Sequence, residues 1–263
     1  MRAAGAYSAS DGARLAFTDG GPRESRPLLF LHGWQADARI WGPLIAALGA
    51  HLRVVTVDLR GAGGSAEAPG PYTLERFAAD LTDLVAALDL GPAVVVGHSM
   101  GAAVAQRFAI DRPDAVEGLV LIAAVPASGV PFSPKVLEFF RSTAGNPEQT
   151  ARWQKSLTVH ELPSERQGLI RDAAAMIRAE VALESLASWQ GANFAGEAAT
   201  IETPTLILAP SADRPMTPEF LKAKVADLIA GSIFEIINDC GHYAPLEQPE
   251  RLAARIERFV EEL

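Results

Sequence analysis

The segment AVVVGHSMGAAVAQRFAI (93–110) decides the fold of this chain. Its first four residues form a short apolar run typical of a buried strand, and the small apolar residues at 101–110 favour a helix directly after it. Between them lies Gly97-His98-Ser99-Met100-Gly101, in which the two glycines let the backbone turn sharply. This pattern predicts that Ser99 stands exposed at the carboxyl edge of a sheet as a nucleophile. The alternative is a serine that only caps the helix.

The rest of the chain alternates between strand-like and helical patterns. Five further short apolar runs are typical of buried strands: 28–31, 53–57, 118–124, 205–209 and 232–237. Apolar residues at helical spacing predict helices over 73–88 and 249–263. Asp11-Gly12 favours a tight hairpin, so an antiparallel pair is expected to start the sheet. The sequence therefore predicts an α/β fold whose mainly parallel sheet of about eight strands is flanked by helices.

The alternation stops between residues 127 and 200, where prolines separate helical stretches and no strand-like run occurs. We interpret this segment as a helical cap inserted into a core formed by residues 1–126 and 201–263. One helix is predicted over 171–189. The cap carries aromatic residues that either line an apolar pocket or pack the helices together, and packing is expected for most of Phe132, Phe139, Phe140, Trp153, Trp189 and Phe194.

A serine hydroxyl needs a base, and His242 is the candidate among five histidines. It follows the strand at 232–237, so it lies at the carboxyl end of a strand, where ligands gather in open α/β sheets. Gly241 frees the loop to bring the imidazole over Ser99. His98 adjoins the serine but is expected to point the wrong way. The alternative for His242 is a structural loop histidine.

The base needs an acid, and Asp213 fits the expected chain order of serine, acid and histidine. It follows the strand at 205–209, whereas the turn after 118–124 offers no carboxylate. Asp239 is the rival, but it shares a short loop with the histidine and would have difficulty reaching the outer ring nitrogen. Another reading makes Asp213 a surface turn carboxylate paired with Arg214.

Acyl transfer also requires donors for an oxyanion. These are normally the backbone amide after the nucleophile and a second amide from an early strand-to-helix loop. Met100 and Trp34 are in position to supply them, and Trp34 can also form an apolar wall of the pocket.

Composition excludes several classes of protein. The formal net charge of −9, without clusters of Lys and Arg, argues against a nucleic-acid partner. Cys240 is the only cysteine, so no internal disulfide forms and a reducing, cytoplasmic location fits best. No apolar run approaches the ~20 residues of a membrane helix, and no signal peptide is recognised. Neither metal-ligand spacing nor a phosphate-binding loop occurs, so we expect no metal and no cofactor.

In the order and spacing of its motifs the chain resembles the α/β-hydrolase superfamily, through His32-Gly33-Trp34, Asp58 to Ser65, Gly97 to Gly101, Asp213 and Gly241-His242. The resemblance covers nearly the whole chain. It implies an oxyanion hole at the first motif and structural roles for Asp58 and Arg60. Ala102 departs from many relatives, which have a second glycine there. The chain looks most like small cofactor-free esterases, lactonases and perhydrolases with a helical cap.

We expect the protein to hydrolyse a carboxylic ester or lactone of a small, largely apolar substrate through an acyl-enzyme. This reaction requires only the serine, histidine, aspartate and amide donors identified above. Serine at position 99 disfavours dehalogenase and epoxide-hydrolase chemistry, which uses a carboxylate nucleophile. Carbon–carbon bond hydrolysis and cofactor-free perhydrolysis with the same triad stay open. A small-molecule receptor under the cap is the alternative that is not an enzyme. The oligomeric state is left open.

Overall fold

An antiparallel hairpin starts the sheet, as predicted from Asp11-Gly12. The computed structural model describes residues 3–263, and in it β1 (Ala3–Ser8) pairs with β2 (Arg14–Gly20). Gly12 lies in the turn with a φ of 87°, a conformation that glycine adopts at little cost. β2 also pairs in antiparallel fashion with β4 (Arg53–Val57).

The remaining strands run parallel to one another and follow the predicted apolar runs closely. They are β3 (Pro27–Leu31), β4 (Arg53–Val57), β5 (Ala93–His98), β6 (Val116–Ile122), β7 (Thr205–Pro210) and β8 (Ile233–Ile237). The order across the sheet is β1-β2-β4-β3-β5-β6-β7-β8. The predicted mainly parallel sheet of about eight strands is confirmed. Because these strands are parallel, the loops after β5, β7 and β8 all leave the sheet at one edge.

The helices are α1 (Gly42–Ala47), α2 (Leu74–Ala87), α3 (Met100–Asp111), α4 (Pro134–Thr143), α5 (Pro147–Ser156), α6 (Ser164–Met176), α7 (Ala179–Gln190), α8 (Ala195–Ala198), α9 (Pro218–Leu221), α10 (Ala244–Glu247) and α11 (Pro249–Glu262). Thr73 caps α2, since its hydroxyl accepts a hydrogen bond from the Arg76 amide at 3.3 Å. In the part of the chain that the structure describes, no helix is long and apolar enough to cross a membrane.

Both faces of the sheet are covered, which explains why the central strands are apolar throughout. In β3, Leu29 and Leu31 pack into the cluster that includes α2 and α3. Leu28 and Phe30 pack on the opposite face, against α1 and α11. Side chains alternate along a strand, so only a strand buried on both faces needs an unbroken apolar run. The predicted apolar face of α11 is buried, at Leu252, Ile256, Phe259 and Val260.

Helices α4 to α8 lie between β6 and β7, in the segment for which a cap is predicted. The single helix predicted over 171–189 is wrong, because α6 ends at Met176 and α7 begins at Ala179. Arg178 is extended, with a ψ of 147°. Its guanidinium donates to the Ala66 carbonyl and, at 2.6 Å, to the Tyr72 hydroxyl. These bonds to the core hold Arg178 in an extended conformation.

Candidate active site

Ser99 occupies a sharp turn between β5 and α3. Its φ of 53° and ψ of −117° are strained for a residue with a side chain. The turn is fixed because the Ser99 amide donates to the Ile122 carbonyl at 3.0 Å and the Ser99 carbonyl accepts from the Val125 amide at 3.1 Å. The side chain faces a cavity, and Ser99 is 8% exposed.

Glycines make the turn possible. A Cβ on Gly97 would lie 2.5 Å from the Gly101 carbonyl oxygen, and a Cβ on Gly101 would lie 2.3 Å from the Leu31 carbonyl oxygen. Real Cβ atoms essentially never approach this closely. Both positions therefore need glycine, for close backbone approach.

Loops after β7 and β8 bring Asp213 and His242 together. His242 Nδ1 lies 2.7 Å from Asp213 Oδ2, and both side chains are buried. A carboxylate only accepts, so Nδ1 donates and Nε2 is left with a free lone pair. Asp213 Oδ1 accepts from the Met216 amide at 3.1 Å. Within residues 3–263 the His242 ring makes no hydrogen bond to Ser99, although both line the same cavity.

The rival carboxylate points elsewhere. Asp239 Oδ2 lies 2.8 Å from His160 Nε2, and both side chains are exposed. Arg214 forms no ion pair with Asp213, whose carboxylate is already taken by His242 and a backbone amide. The surface-turn reading of Asp213 is therefore wrong.

The His242 loop is bonded to the helices inserted between β6 and β7. The His242 amide donates to the Leu157 carbonyl at 2.9 Å, and a Cβ on Gly241 would lie 2.2 Å from that same oxygen. Glu247 accepts from the Val159 amide at 2.8 Å and from the Gly241 amide at 3.1 Å. Sequence reasoning missed this link because the turn at 157–159 carries no recognisable motif.

Sequence reasoning also missed the contact between His98 and His242. The two ring centroids lie 4.9 Å apart, and His98 Nε2 lies 2.8 Å from the His242 carbonyl oxygen. Burial, with a smaller contribution from His242, lowers the pKa of His98 to about 3. Because a carbonyl only accepts, the neutral ring carries its proton on Nε2. The only sequence signal for a role of His98 near the site was its position next to Ser99.

Met100 follows Ser99 directly in the chain, and Trp34 lines the same cavity as Ser99. Met100 is buried and begins α3. Within residues 3–263 neither backbone amide donates to a protein acceptor. His32 fixes the loop before Trp34, since its Nε2 accepts from the Leu59 amide at 3.0 Å.

The cavity above Ser99 is narrow and mostly aromatic. It offers about 20 Å³ in which the centre of a water molecule fits, which is enough for about one water. Trp34 packs against the rings of Phe140, Trp153 and Trp189 with centroids 5.6 to 6.0 Å apart. The expectation that most aromatic residues of the insertion only pack helices is wrong, because four of the six line the cavity: Phe132, Phe140, Trp153 and Trp189.

A larger depression adjoins this cavity, between α4, α5 and the loop after β7. The centre of a water molecule fits within about 540 Å³ of this depression. We call it the outer groove, and it is lined by Val130, Pro131, Phe132, Val136, Phe139, Phe140, Trp153, Ser156, Leu157, Arg214, Pro215 and Phe220.

Asp58 and Arg60 support the structure away from the cavity. Asp58 accepts from the Ala38 and Gly64 amides, both at 2.8 Å. The buried Arg60 pairs with Asp80 at 2.7 Å and with Asp11 at 2.9 Å. Among residues 3–263, no group of three or more His, Cys, Asp or Glu side chains is placed to hold a metal ion.

The sequence of this chain matches the model of one protein family. The family model described as the alpha/beta hydrolase family matches residues 28–255. The chain belongs to the alpha/beta hydrolase family. The match spans the motifs from His32 to His242, so the predicted fold and membership in this enzyme family are confirmed.

Individual relatives match this chain over nearly its full length. A non-heme chloroperoxidase from Streptomyces lividans is 29% identical over 275 residues, with 97% of this chain and 99% of the relative covered. A poly(3-hydroxyalkanoate) depolymerase from Ectopseudomonas oleovorans is 32% identical, with 95% and 89% covered. The solved structure of an esterase from Exiguobacterium antarcticum superposes with a TM-score of 0.88 at 21% identity, covering 97% of this alpha/beta hydrolase and 98% of the esterase.

Proposed function

We propose that this alpha/beta hydrolase cleaves a carboxylic ester or lactone of a small, largely apolar substrate through an acyl-enzyme intermediate. The observation that carries the proposal is the 2.7 Å contact between His242 Nδ1 and Asp213 Oδ2, with His242 and Ser99 lining the same cavity. A serine, a histidine held in one tautomer and a buried acid are the parts that acyl transfer needs.

His242 acts as general base and Asp213 orients it. With Nδ1 donating to Asp213, the free Nε2 takes the Ser99 proton as the hydroxyl attacks the carbonyl carbon. The imidazolium then returns that proton to the leaving oxygen, and water releases the acid in a second step. The contact from Ser99 to His242 closes when substrate binds, since catalytic hydrogen bonds tighten in the substrate complex.

The amides of Trp34 and Met100 stabilise the tetrahedral intermediate. Met100 follows Ser99 directly, Trp34 lines the same cavity, and neither amide donates to a protein acceptor within residues 3–263. Donors that are already fixed and unpaired stabilise a developing oxyanion without reorganisation.

Residues 127–200 act as a cap that excludes water and selects the substrate. Four of its aromatic side chains line the cavity, and its Leu157 carbonyl holds the His242 amide at 2.9 Å. The aromatic lining favours an apolar group beside the scissile bond. The relative named as a poly(3-hydroxyalkanoate) depolymerase supports ester chemistry.

The test measures release of p-nitrophenol from short and medium p-nitrophenyl esters, followed by a lactone panel. Ser99→Ala is expected to abolish turnover, while Ser142→Ala, at an exposed serine of α4, is expected to retain it. Asp213→Asn leaves His242 in the wrong tautomer and is expected to lower kcat by about 10⁴-fold.

Two results would overturn the proposal. Turnover that survives in Ser99→Ala would remove the acyl-enzyme route. If the wild type hydrolyses no ester or lactone, a carbon–carbon substrate or a receptor function takes precedence. Slow turnover with tight retention of a ligand would favour the receptor.

Perhydrolysis is a second candidate, favoured by the relative named as a non-heme chloroperoxidase. Hydrogen peroxide would replace water in attacking the acyl-enzyme, giving a peracid and free Ser99. Peracid formation from an ester and peroxide, lost in Ser99→Ala, is the expected result.

A further inference from the structure

The outer groove adjoins the cavity above Ser99, and four residues line both spaces. Phe132, Phe140 and Trp153 line both spaces, as does Pro215. The inner cavity holds about one water, so it has no room for a substrate until these rings rotate. Rotation of these shared rings would join it to the outer groove, so the groove is in position to extend the same site.

The groove is built for an apolar chain. Apart from Ser156 and Arg214 its lining side chains are apolar. Val136 and Phe139 are 39% and 40% exposed, large values for side chains of this kind. Exposed apolar surface that continues from a catalytic cavity marks a ligand-binding groove.

Among the residues that the structure describes, Arg214 is the only charged one that lines the groove. It is exposed and forms no ion pair within residues 3–263, although the neighbouring Asp213 carboxylate is engaged by His242. The whole chain carries a net charge of −9, so its overall field does not attract anions. An anion bound in the groove must therefore be held locally, and Arg214 is the charged group that can hold it.

We propose that Arg214 binds a carboxylate at the far end of an apolar chain that lies in the outer groove while the other end is cleaved at Ser99. The substrate class is thus a linear ester that carries a free carboxylate. A guanidinium matches a carboxylate with two parallel hydrogen bonds. The inference rests on the proposed function, since it assigns a substrate class to the same site.

The kinetic test uses p-nitrophenyl monoesters of linear dicarboxylic acids with six to ten carbons, each compared with its methyl-capped neutral analogue. Arg214→Gln is expected to lower kcat/KM about fivefold for the anionic esters only, the effect of an exposed ion pair. Added salt should remove the same advantage from the wild type. Arg141→Gln is the matched control, since Arg141 is exposed on α4 and does not line the groove. Equal losses on neutral and anionic esters, or an equal effect of Arg141→Gln, would overturn the proposal.

A binding test separates this inference from the proposed function. The Ser99→Ala protein is titrated by calorimetry with monomethyl suberate and with dimethyl suberate, with and without Arg214→Gln. We expect the anionic ligand to bind about fivefold more tightly, and only when Arg214 is present. If the wild type hydrolyses no ester but this preference appears, the proposed function fails and the anion site stands. If the two ligands bind alike, the anion site fails whatever the hydrolysis result.

Discussion

His98 Nε2 donates a hydrogen bond to the carbonyl oxygen of His242 at 2.8 Å, so the residue before the candidate nucleophile holds the backbone of the candidate base. The His98 ring also packs against Tyr243, with centroids 5.6 Å apart. Its other nitrogen, Nδ1, has no partner within residues 3–263. We therefore infer that His98 is a positioning residue, which would act on the proposed reaction through His242.

Replacing His98 by Phe keeps a ring of similar size but removes the donor. The buried His242 carbonyl loses a partner, and the imidazole is then less firmly placed over Ser99. We expect kcat on a p-nitrophenyl ester to fall about tenfold or more, with a smaller change in KM. Steady-state kinetics of the folded variant measure this split.

His98→Gln is the matched variant, because its amide can donate where the ring nitrogen did. We expect it to recover most of the lost kcat. A purely structural role predicts that both variants lose stability and keep the kcat of the folded enzyme, and that outcome would remove the positioning role.

The buried His98 also makes stability depend on pH. Its pKa falls from 6.5 to about 3 on folding, so the unfolded chain binds one more proton between these values. The contribution of His98 to the free energy of unfolding is fully present above pH 6.5. It is lost as the pH falls toward 3, by up to about 1.4 kcal/mol per pH unit. Urea unfolding of His98→Gln should show a shallower loss on acidification than the wild type. His51→Gln, at an exposed histidine, should follow the wild type.

Much of the fold was predictable because its signals are local. The apolar run of β5 and the glycines beside Ser99 specify strand, turn and helix within 18 residues, and the steric need for Gly97 and Gly101 is visible in the structure. Asp213 and His242 follow strands whose carboxyl ends meet at one edge. Their pairing could be inferred from topology alone.

The residues that were missed depend on contacts between distant parts of the chain. The bond from His98 joins positions 144 apart, and no spacing rule encodes it. The break between α6 and α7 depends on Arg178 reaching Tyr72, 106 positions away. A helical pattern cannot anticipate such a bond, because the competing partner lies outside the segment.

Arg60 holds a buried ion-pair network whose loss should be costly. Its side chain is fully buried, and Asp80 is 4% exposed. Arg60→Met leaves Asp80 with Arg76 as its remaining ion-pair partner. We expect a loss of up to about 3 kcal/mol in the free energy of unfolding, less than for a buried charge left without any partner. Arg112→Met breaks an exposed pair with Asp114 and should leave chemical denaturation unchanged. Similar midpoints for the two variants would contradict a structural role for Arg60.

Gly101 and Gly196 both lie in helices, but alanine should act on them in opposite directions. At Gly101 a Cβ would lie 2.3 Å from the Leu31 carbonyl oxygen and 2.5 Å from that of His32. Both oxygens are backbone atoms, one at the end of β3 and one in the loop that follows it before Trp34, so they cannot move without displacing the backbone there. Gly101→Ala should cost about 3 kcal/mol or more. At Gly196 nothing lies within 4 Å, so Gly196→Ala should gain up to about 1 kcal/mol from helix propensity. Thermal unfolding of both variants measures the difference, and a stable Gly101→Ala protein would refute the close approach of α3 to β3.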